Sequence, residues 1–219
     1  MTGRSGHTQR RTDALSRERI VDTAVGLLDV EGEAGLTFRK LAALLRTGPG
    51  AIYNHVANKN ELLIAATDAV ITPAIDAADD TIRAFALAIF DTIDAHPWIG
   101  TQLSLTPAQP TMLRIFERIG QQVAALGVPD AMKFASASAL LNYILGVGGL
   151  NAANARGVAP GTNRTDFLTT VSGAWANLDP GEYPFTRGVA GQLREHDDRE
   201  QFLAGIDLIL AGIAALGSS

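Results

Sequence analysis

Histidine side chains are the first candidates for chemistry in this chain, because imidazole binds metals and moves protons near neutral pH. There are four of them: His7, His55, His96 and His196. None lies in the Glu-x-x-His pattern that a di-iron helical bundle uses, and the chain has no cysteine to supply a thiolate ligand or nucleophile. The sequence therefore predicts no metal site, no cofactor and no enzymatic centre.

A glycine-rich segment at residues 146–149 contains part of a dinucleotide-binding fingerprint. Asn151 stands where the third glycine of that fingerprint belongs, and the segment lies inside a helical pattern with no preceding strand. We interpret these glycines as a place where two helices pack closely.

Charge is distributed unevenly along the chain. Residues 1–59 contain nine Lys or Arg and six acids, a net charge of +3, whereas the remainder contains nine basic residues and seventeen acids, a net charge of −8. A basic end on an acidic body is typical of a protein that meets a polyanion, although chance scatter of surface charge gives the same pattern. The interpretation stays open on charge alone.

Composition limits the class of protein. With 47% hydrophobic and 19% charged residues, the chain is expected to fold. Its N-terminus is too polar for a signal peptide, and its longest apolar run, residues 202–216, is too short for a membrane span and contains Asp207. We expect a cytoplasmic protein that does not enter a membrane.

Three short helices followed by a longer one are predicted after a flexible basic arm at residues 1–15. Ser16 and Thr37 are placed to cap the first two helices, which end near residues 32 and 48, and Pro49 is suited to the first turn of the third. Asn58 and Glu61 have the spacing of a capping box for the fourth.

Beyond Pro73 the apolar residues recur at helical spacing in several long segments, separated by turn signals near residues 96–97, 127–129 and 156–161. A weaker helix is predicted at 167–178, followed by a stretch rich in Pro and Gly at 179–188. The last helix is apolar over more than one face, which indicates packing on two sides or at a subunit interface. Nothing in the pattern predicts a strand.

The segment from Leu36 to His55 has the layout of a helix-turn-helix, in which a second short helix enters the major groove of DNA. Spacing alone does not decide the matter, because any two short packed helices produce it. Three segments are more specific: Thr37-Phe-Arg-Lys-Leu-Ala, Gly50-Ala-Ile-Tyr-Asn-His-Val and Asn58-Lys-Asn-Glu-Leu-Leu63.

These segments closely resemble the N-terminal region of the TetR family of transcriptional repressors, and the resemblance covers Ile20 to about Val70. Further along, His96-Pro97-Trp98 resembles a recurring feature of the ligand-binding domains in one subgroup of that family. The resemblance implies a homodimer that binds a double-stranded DNA operator, dimerises through C-terminal helices and responds to a small-molecule inducer.

The resemblance also implies roles for individual residues. Arg39 matches a position from which such repressors reach a base, and Arg can bond guanine O6 and N7 together. Tyr53 would touch the DNA backbone or a thymine methyl, and Lys59 would hold a phosphate. For Lys40 and Arg46 a solvated helix face is the favoured interpretation. The full predicted DNA-binding set is Thr37, Arg39, Pro49, Gly50, Ala51, Tyr53, Asn54, His55 and Lys59.

A departure from the family pattern affects base recognition. Pro49, Gly50 and Ala51 offer no side-chain hydrogen bond, so base recognition depends on Arg39, Asn54 and DNA shape. For the inducer, the sequence offers aromatic or adaptable residues on or beside apolar stripes. The predicted ligand-binding residues are His96, Trp98, Met112, Phe116, Tyr143 and Trp175.

The predicted fold is all-α, with a helix-turn-helix domain at residues 1–58 and a ligand-binding and dimerisation bundle at residues 59–219, here called the helical body. The predicted function is that of a TetR-like repressor released by a hydrophobic inducer. Two alternatives stay open: a helical DNA-binding protein without an inducer, and a helical enzyme.

Overall fold

A computed structural model describes residues 15–105, 109–157 and 163–217 of the chain. Within these ranges all regular structure is α-helical, which confirms the predicted fold class. The predicted arm lies outside the described residues apart from Leu15, and so does His7. The helices are α1 Arg17–Gly35, α2 Phe38–Leu44, α3 Pro49–Tyr53, α4 Lys59–Ala77, α5 Ile82–Ala95, α6 Trp98–Leu105, α7 Pro110–Ala125, α8 Asp130–Gly157, α9 Arg164–Ala176, α10 Pro184–Arg194 and α11 Asp198–Gly217.

The N-terminal helices begin where their caps predict. The side chains of Ser16, Thr37 and Asn58 each accept a hydrogen bond from the backbone N–H three residues on, at 3.2, 3.2 and 2.9 Å. Such bonds satisfy donors that the first turn of a helix leaves free. Helix α1 differs from the prediction at its other end, because it continues past Gly32 to Gly35 with a kink at Gly32.

Helix α4 continues through Pro73, where the sequence predicted a change of element. The chain turns instead between α4 and α5, where Ala78 is extended and the Thr81 hydroxyl accepts from the Ala84 N–H at 3.1 Å. Helix α4 packs on α1 at one end and on α5 and α7 further along. The domain boundary between residues 58 and 59 stays a prediction.

The core of the helical body is formed by α4, α5, α6, α7, α8 and α11. Phe90 and Phe202 stack with ring centroids 4.5 Å apart, and both are buried. Close packing at the glycines is confirmed: a Cβ on Gly148 would lie 3.0 Å from the Ile93 Cδ1, and one on Gly100 would lie 3.4 Å from the Gly149 Cα. Helices α6 and α8 therefore cross with little room between their backbones.

Helices α9 and α10 form a hairpin that packs mainly on itself. The buried Ser172 hydroxyl donates to the Ala190 carbonyl at 2.6 Å and joins the two helices. Helix α10 was not predicted, because residues 179–188 resemble a loop in composition, yet Pro184 stands in the first turn of this helix. The outer side of the hairpin exposes Phe167 and Phe185.

Helix α11 is 20 residues long, longer than the apolar run predicted at 202–216. Among the described helices it alone has the length and composition of a membrane-crossing segment. Phe202, Ile206 and Ile213 on one side of it are buried within the protein, whereas Leu208 on another side is 76% exposed. The helix is therefore half covered by its own chain.

Candidate nucleic-acid interface

The helix-turn-helix is held by a small set of buried side chains. Leu41 of α2 and Ile52 of α3 are fully buried, and Thr37 caps the first of these helices. The turn between them passes through Arg46, whose φ of 53° lies in the left-handed region. These buried side chains hold α3 against α2.

The outward side of this unit is polar and presents a short row of possible DNA contacts. Arg39, Tyr53 and Asn54 are exposed. The Tyr53 ring packs edge-on against Phe38 with centroids 4.6 Å apart, so the end of α3 lies beside the start of α2. Tyr53 and Asn54 therefore lie near the start of α2, the helix that carries Arg39.

The remaining predicted DNA-binding residues are spread around this row. Pro49 and Gly50 are exposed at the start of α3, where neither side chain can hydrogen-bond a base, while Ala51 and His55 are half-buried. The backbone N–H of His55 donates to the Ile52 carbonyl at 2.9 Å. Thr37 is exposed, although its hydroxyl is already used as the cap of α2.

Lys59 lies at the first position of α4 and is tied back to α1. Its Nζ donates to the Glu33 carbonyl oxygen at 2.7 Å. An ammonium group has three donors, so this bond leaves capacity for a phosphate oxygen. Lys40, which the sequence assigned to a solvated face, forms an ion pair with Glu31.

Glu61 fixes the start of α4 from the other side. Its carboxylate accepts from the Ala57 N–H at 2.8 Å and from Arg17 at 3.2 Å. These two donors hold the pKa of Glu61 below its usual value. The capping box predicted from Asn58 and Glu61 is present in a shifted form. The Glu61 carboxylate bonds the backbone N–H of Ala57, the residue before the cap, and not that of Asn58 itself.

Two of the predicted ligand-binding residues form hydrogen bonds to α1. Trp98 is 4% exposed, and its Nε1 donates to Asp29 Oδ1 at 2.7 Å. His96 Nδ1 lies 2.7 Å from the same oxygen, and it is the donor because an ionised carboxylate only accepts. Sequence reasoning missed Asp29, which is 67 residues from His96 and belongs to no local motif.

The other four predicted ligand-binding residues lie in separate surroundings. Met112 is buried in α7. The Tyr143 hydroxyl donates to the Phe202 carbonyl at 3.2 Å, and Trp175 is half-buried in the α9–α10 hairpin. Phe116 lines an open cleft between α4 and α7. The six side chains do not form one pocket.

This cleft has a volume of about 560 Å³ and is here called the α4–α7 cleft. Ile75, Leu113 and Phe116 supply apolar surface, and two arginines stand beside them. Arg114 pairs with Asp76 at 2.6 Å, and Arg118 donates to the Ala78 carbonyl at 2.8 Å. The arrangement suits an apolar molecule with a polar or anionic edge.

A polar group in α4 lies near the first turn of α7. Thr111 donates to the Asp68 carboxylate, and burial raises the pKa of Asp68 against the opposing effect of Arg114. Gln109, also buried, has a side-chain carbonyl oxygen with no hydrogen-bond partner among the described residues. Within the part of the chain that the structure describes, no group of three or more His, Cys, Asp or Glu could hold a metal ion.

The fold and this polar surface together define a helix-turn-helix protein with a helical body. A family described as "Tetracyclin repressor-like, C-terminal domain" matches residues 74–216. The chain therefore belongs to the TetR family of transcriptional regulators.

Individual relatives agree with this assignment. The chain is 57% identical to the transcriptional regulator SCO7222, a TetR from Streptomyces coelicolor, with a TM-score of 0.84 over 93% of this chain and 100% of that one. It is 27% identical to BioQ, solved with its double-stranded DNA operator, with a TM-score of 0.59 over 92% of this chain and 99% of that one.

A curated relative shows a more limited match. An HTH-type transcriptional regulator of Saccharopolyspora erythraea is 33% identical over 144 residues, which is 63% of this chain and 61% of the relative. The match thus spans less than two thirds of that relative's length. These relatives are transcriptional regulators.

Proposed function

We propose that the protein is a cytoplasmic, homodimeric transcriptional repressor that binds a near-palindromic DNA operator and is released by a small hydrophobic inducer. The observation that carries the proposal is the outward row of Arg39, Tyr53 and Asn54 on helices whose packing is supplied by Leu41 and Ile52. Arg39 and Asn54 are exposed and are not among the buried side chains that hold α2 and α3 together, whereas Tyr53 also packs on Phe38. The operator complex of the similarly folded BioQ supports DNA as that partner.

Within this proposal, Arg39 reads a base and Lys59 positions the protein on the backbone. Arg39 stands at the start of α2 with its guanidinium exposed, and guanine offers it two acceptors in the major groove. Lys59 stands at the N-terminus of α4, where free backbone N–H groups also attract phosphate. Asn54 supplies the other base contact, and Tyr53 touches the backbone or a thymine methyl.

The second copy of the chain is proposed to cover the outward faces of α8 and α11. These two helices pack against each other, and each turns a stripe of small or apolar residues to the outside. Exposed apolar surface of this kind marks an interface between proteins. The stripes consist of Ala135, Ala139, Gly146 and Leu150 on α8, with the polar Asn142 among them, and Ala204, Leu208, Ala211 and Ala215 on α11.

The inducer is proposed to enter the α4–α7 cleft. Helix α4 is shared by the cleft and the DNA-binding unit, since it begins at Lys59 and carries Ile75 on the cleft wall. A ligand that changes the tilt of α4 changes the separation of the two α3 helices in the dimer. A tenfold loss of operator affinity needs a coupling free energy of only about 1.4 kcal/mol.

DNA binding is tested with duplexes that carry the DNA flanking the gene. We expect binding to half-sites whose centres are roughly 34–36 Å apart, and an affinity that falls steeply as salt rises. A protein–DNA complex that is insensitive to salt, or no complex at all, contradicts the proposal. Footprinting then locates the operator.

The inducer is sought with a panel of apolar and aromatic compounds, following tryptophan fluorescence and operator binding in the same samples. Leu113→Gln and Phe116→Gln make the cleft polar and are expected to weaken the response to an active compound. Leu126→Gln, an exposed apolar position outside the cleft, is the matched control. Compounds that change fluorescence while DNA affinity stays constant would contradict the induction mechanism and leave the DNA-binding proposal intact.

A further inference from the structure

We propose that the segment Asp29 to Glu33, here called the α1 end, couples the helical body to the helix-turn-helix, and that Asp29 is its positioning residue. This route is separate from the continuous helix α4. The inference rests on the proposed function, because a regulator needs such a connection between the part that senses a ligand and the part that binds DNA.

The α1 end is joined to α6 by side-chain hydrogen bonds. One oxygen of Asp29 accepts from both Trp98 and His96, each at 2.7 Å. The Glu33 carboxylate accepts from the buried Gln102 side chain at 2.9 Å. Because the Trp98 indole is buried, its N–H cannot turn to water if Asp29 moves away, and an unpaired buried donor is costly. The position of Trp98 and that of Asp29 therefore depend on each other.

The same five residues are joined to the DNA-binding unit by different groups. Glu31, between the two acids that bond α6, forms its ion pair with Lys40 of α2. The backbone carbonyl of Glu33 accepts from Lys59 at the start of α4. Asp29 and Glu33 thus face the body, while Glu31 and the Glu33 backbone hold α2 and the proposed phosphate-binding lysine.

The backbone of the α1 end explains how neighbouring acids serve different helices. Gly32 has a φ of 66° and a ψ of −172°, so the helical course of α1 is interrupted between Glu31 and Glu33. A displacement at Asp29 reaches Glu31 through two residues of helix, a distance of about 3 Å along the axis. No flexible linker separates the contacts that face the body from those that face α2.

Within the helical body, α6 packs closely against α8. A Cβ on Gly100 would lie 3.4 Å from the Gly149 Cα, so the backbone of α6 is close to that of α8. A change in α8 or α5 is therefore passed to the start of α6, where His96 and Trp98 hold Asp29. Coupling needs a continuous series of packed contacts. Here the series runs from α8 through α6 and the Trp98–Asp29 bond to the Glu31–Lys40 ion pair of α2.

The test is hydrogen exchange by mass spectrometry on the full chain without DNA or ligand, comparing wild type with Trp98→Phe and with Asp29→Ala, which removes the acceptor. Trp98→Phe keeps an aromatic ring but removes the donor, and the changed side chain belongs to α6. We expect both variants to speed amide exchange in α2 and α3, Phe38 to Tyr53, by about tenfold, with α5 unchanged. The double variant is expected to show no more than the larger single effect, because both changes cut the same bond.

Trp175→Phe is the matched control, since it removes the other tryptophan from a helix that packs on α10 and leaves Asp29 untouched. Asp22→Ala controls for the loss of one carboxylate on α1. Exchange in α2 and α3 at the wild-type rate in both test variants overturns the proposal. An equal acceleration in α5 also overturns it, because that result indicates general destabilisation.

A DNA arm separates this inference from the proposed function. With the duplexes that the wild type binds, Trp98→Phe is expected to change affinity by at least fivefold although the residue lies in the body. If the wild type binds none of these duplexes, the proposed function fails, while the exchange experiment still decides whether the α1 end couples the two regions. Unchanged affinity in Trp98→Phe, together with normal binding by the wild type, counts against the coupling.

Discussion

The two ends of the molecule expose opposite kinds of surface. At the helix-turn-helix the outward row consists of Arg39, Tyr53 and Asn54, whereas the outward side of α8, α11 and the α9–α10 hairpin presents large apolar side chains, with Phe185 78% exposed. One surface suits a hydrated polyanion and the other suits a second protein surface. A dimer joined through the apolar surfaces presents two polar surfaces to DNA. Dimerisation through one surface therefore allows the other to bind both half-sites of an operator.

The largest expected effect comes from placing a charge in the apolar surface. Leu208→Asp puts carboxylates into the proposed interface of both protomers, and an uncompensated buried charge costs about 3–5 kcal/mol. Light scattering is expected to show a monomer at concentrations where wild type is a dimer, with a loss of operator affinity of at least 100-fold. Leu208→Ala, which keeps the surface apolar, should stay dimeric. If the Leu208→Asp protein is still a dimer, α11 is not part of the interface.

The next effect separates two roles at the polar surface. Arg39→Ala should cost about 1–3 kcal/mol on the operator and relax preference at one base pair, because it loses contacts to a base edge. Lys59→Ala should weaken operator and random DNA alike. Both are measured by competition between labelled operator and unrelated duplexes, with Arg46→Ala as the exposed basic control. If Arg39→Ala loses affinity equally for operator and unrelated DNA, Arg39 contacts a phosphate and does not recognise a base.

A matched pair of helix caps compares the two regions directly. Thr37→Ala and Thr81→Ala each remove one hydroxyl bond to a backbone N–H, which costs about 1 kcal/mol of folding stability. Thermal melting should detect both losses. Only Thr37→Ala is expected to lower DNA affinity as well, since it loosens the helix that carries Arg39. If Thr81→Ala reduces affinity equally, the start of α2 has no special part in DNA binding.

The smallest effect is a pH dependence at the start of α4. Because the pKa of Glu61 is lowered in the folded protein, its contribution to stability is present above its usual value of 4.5 and is lost as pH falls through the lowered pKa. Glu61→Gln should therefore lose less stability than wild type on going from pH 6 to pH 3, as measured by denaturant unfolding. The pKa of Asp68 is raised, so its contribution to stability has the opposite pH dependence. Asp68 is present in both proteins, so it does not affect the comparison. An identical pH profile would contradict this assignment.

Local chemistry explains which features the sequence could predict. The caps at Ser16, Thr37 and Asn58 are bonds between residues three apart, so their partners are adjacent in the chain. The close approach at Gly148 was also predictable, because the absence of a side chain is visible in the sequence. The all-α fold follows from apolar spacing in the same way.

Features that depend on distant partners could not be predicted from the sequence. Trp98 was assigned to a ligand pocket, and the structure pairs it with Asp29 in another helix. Its role in ligand binding stays a prediction, as do the roles of the DNA-binding residues. The long helices expected beyond Pro73 begin only at Ile82, because α4 continues through Pro73, and α10 forms although residues 179–188 are typical of a loop. In each case tertiary packing outweighed the local preference.

The kink at Gly32 has a consequence for how this protein tolerates substitution. A Cβ added there would meet nothing within 4 Å, and the neighbouring Val30 is 83% exposed, so both positions look permissive by available space. The backbone of Gly32, with φ of 66° and ψ of −172°, lies in a region that is open almost only to glycine. A library that varies both positions should therefore accept many residues at 30 and nearly none at 32, which separates the cost of backbone shape from the cost of crowding.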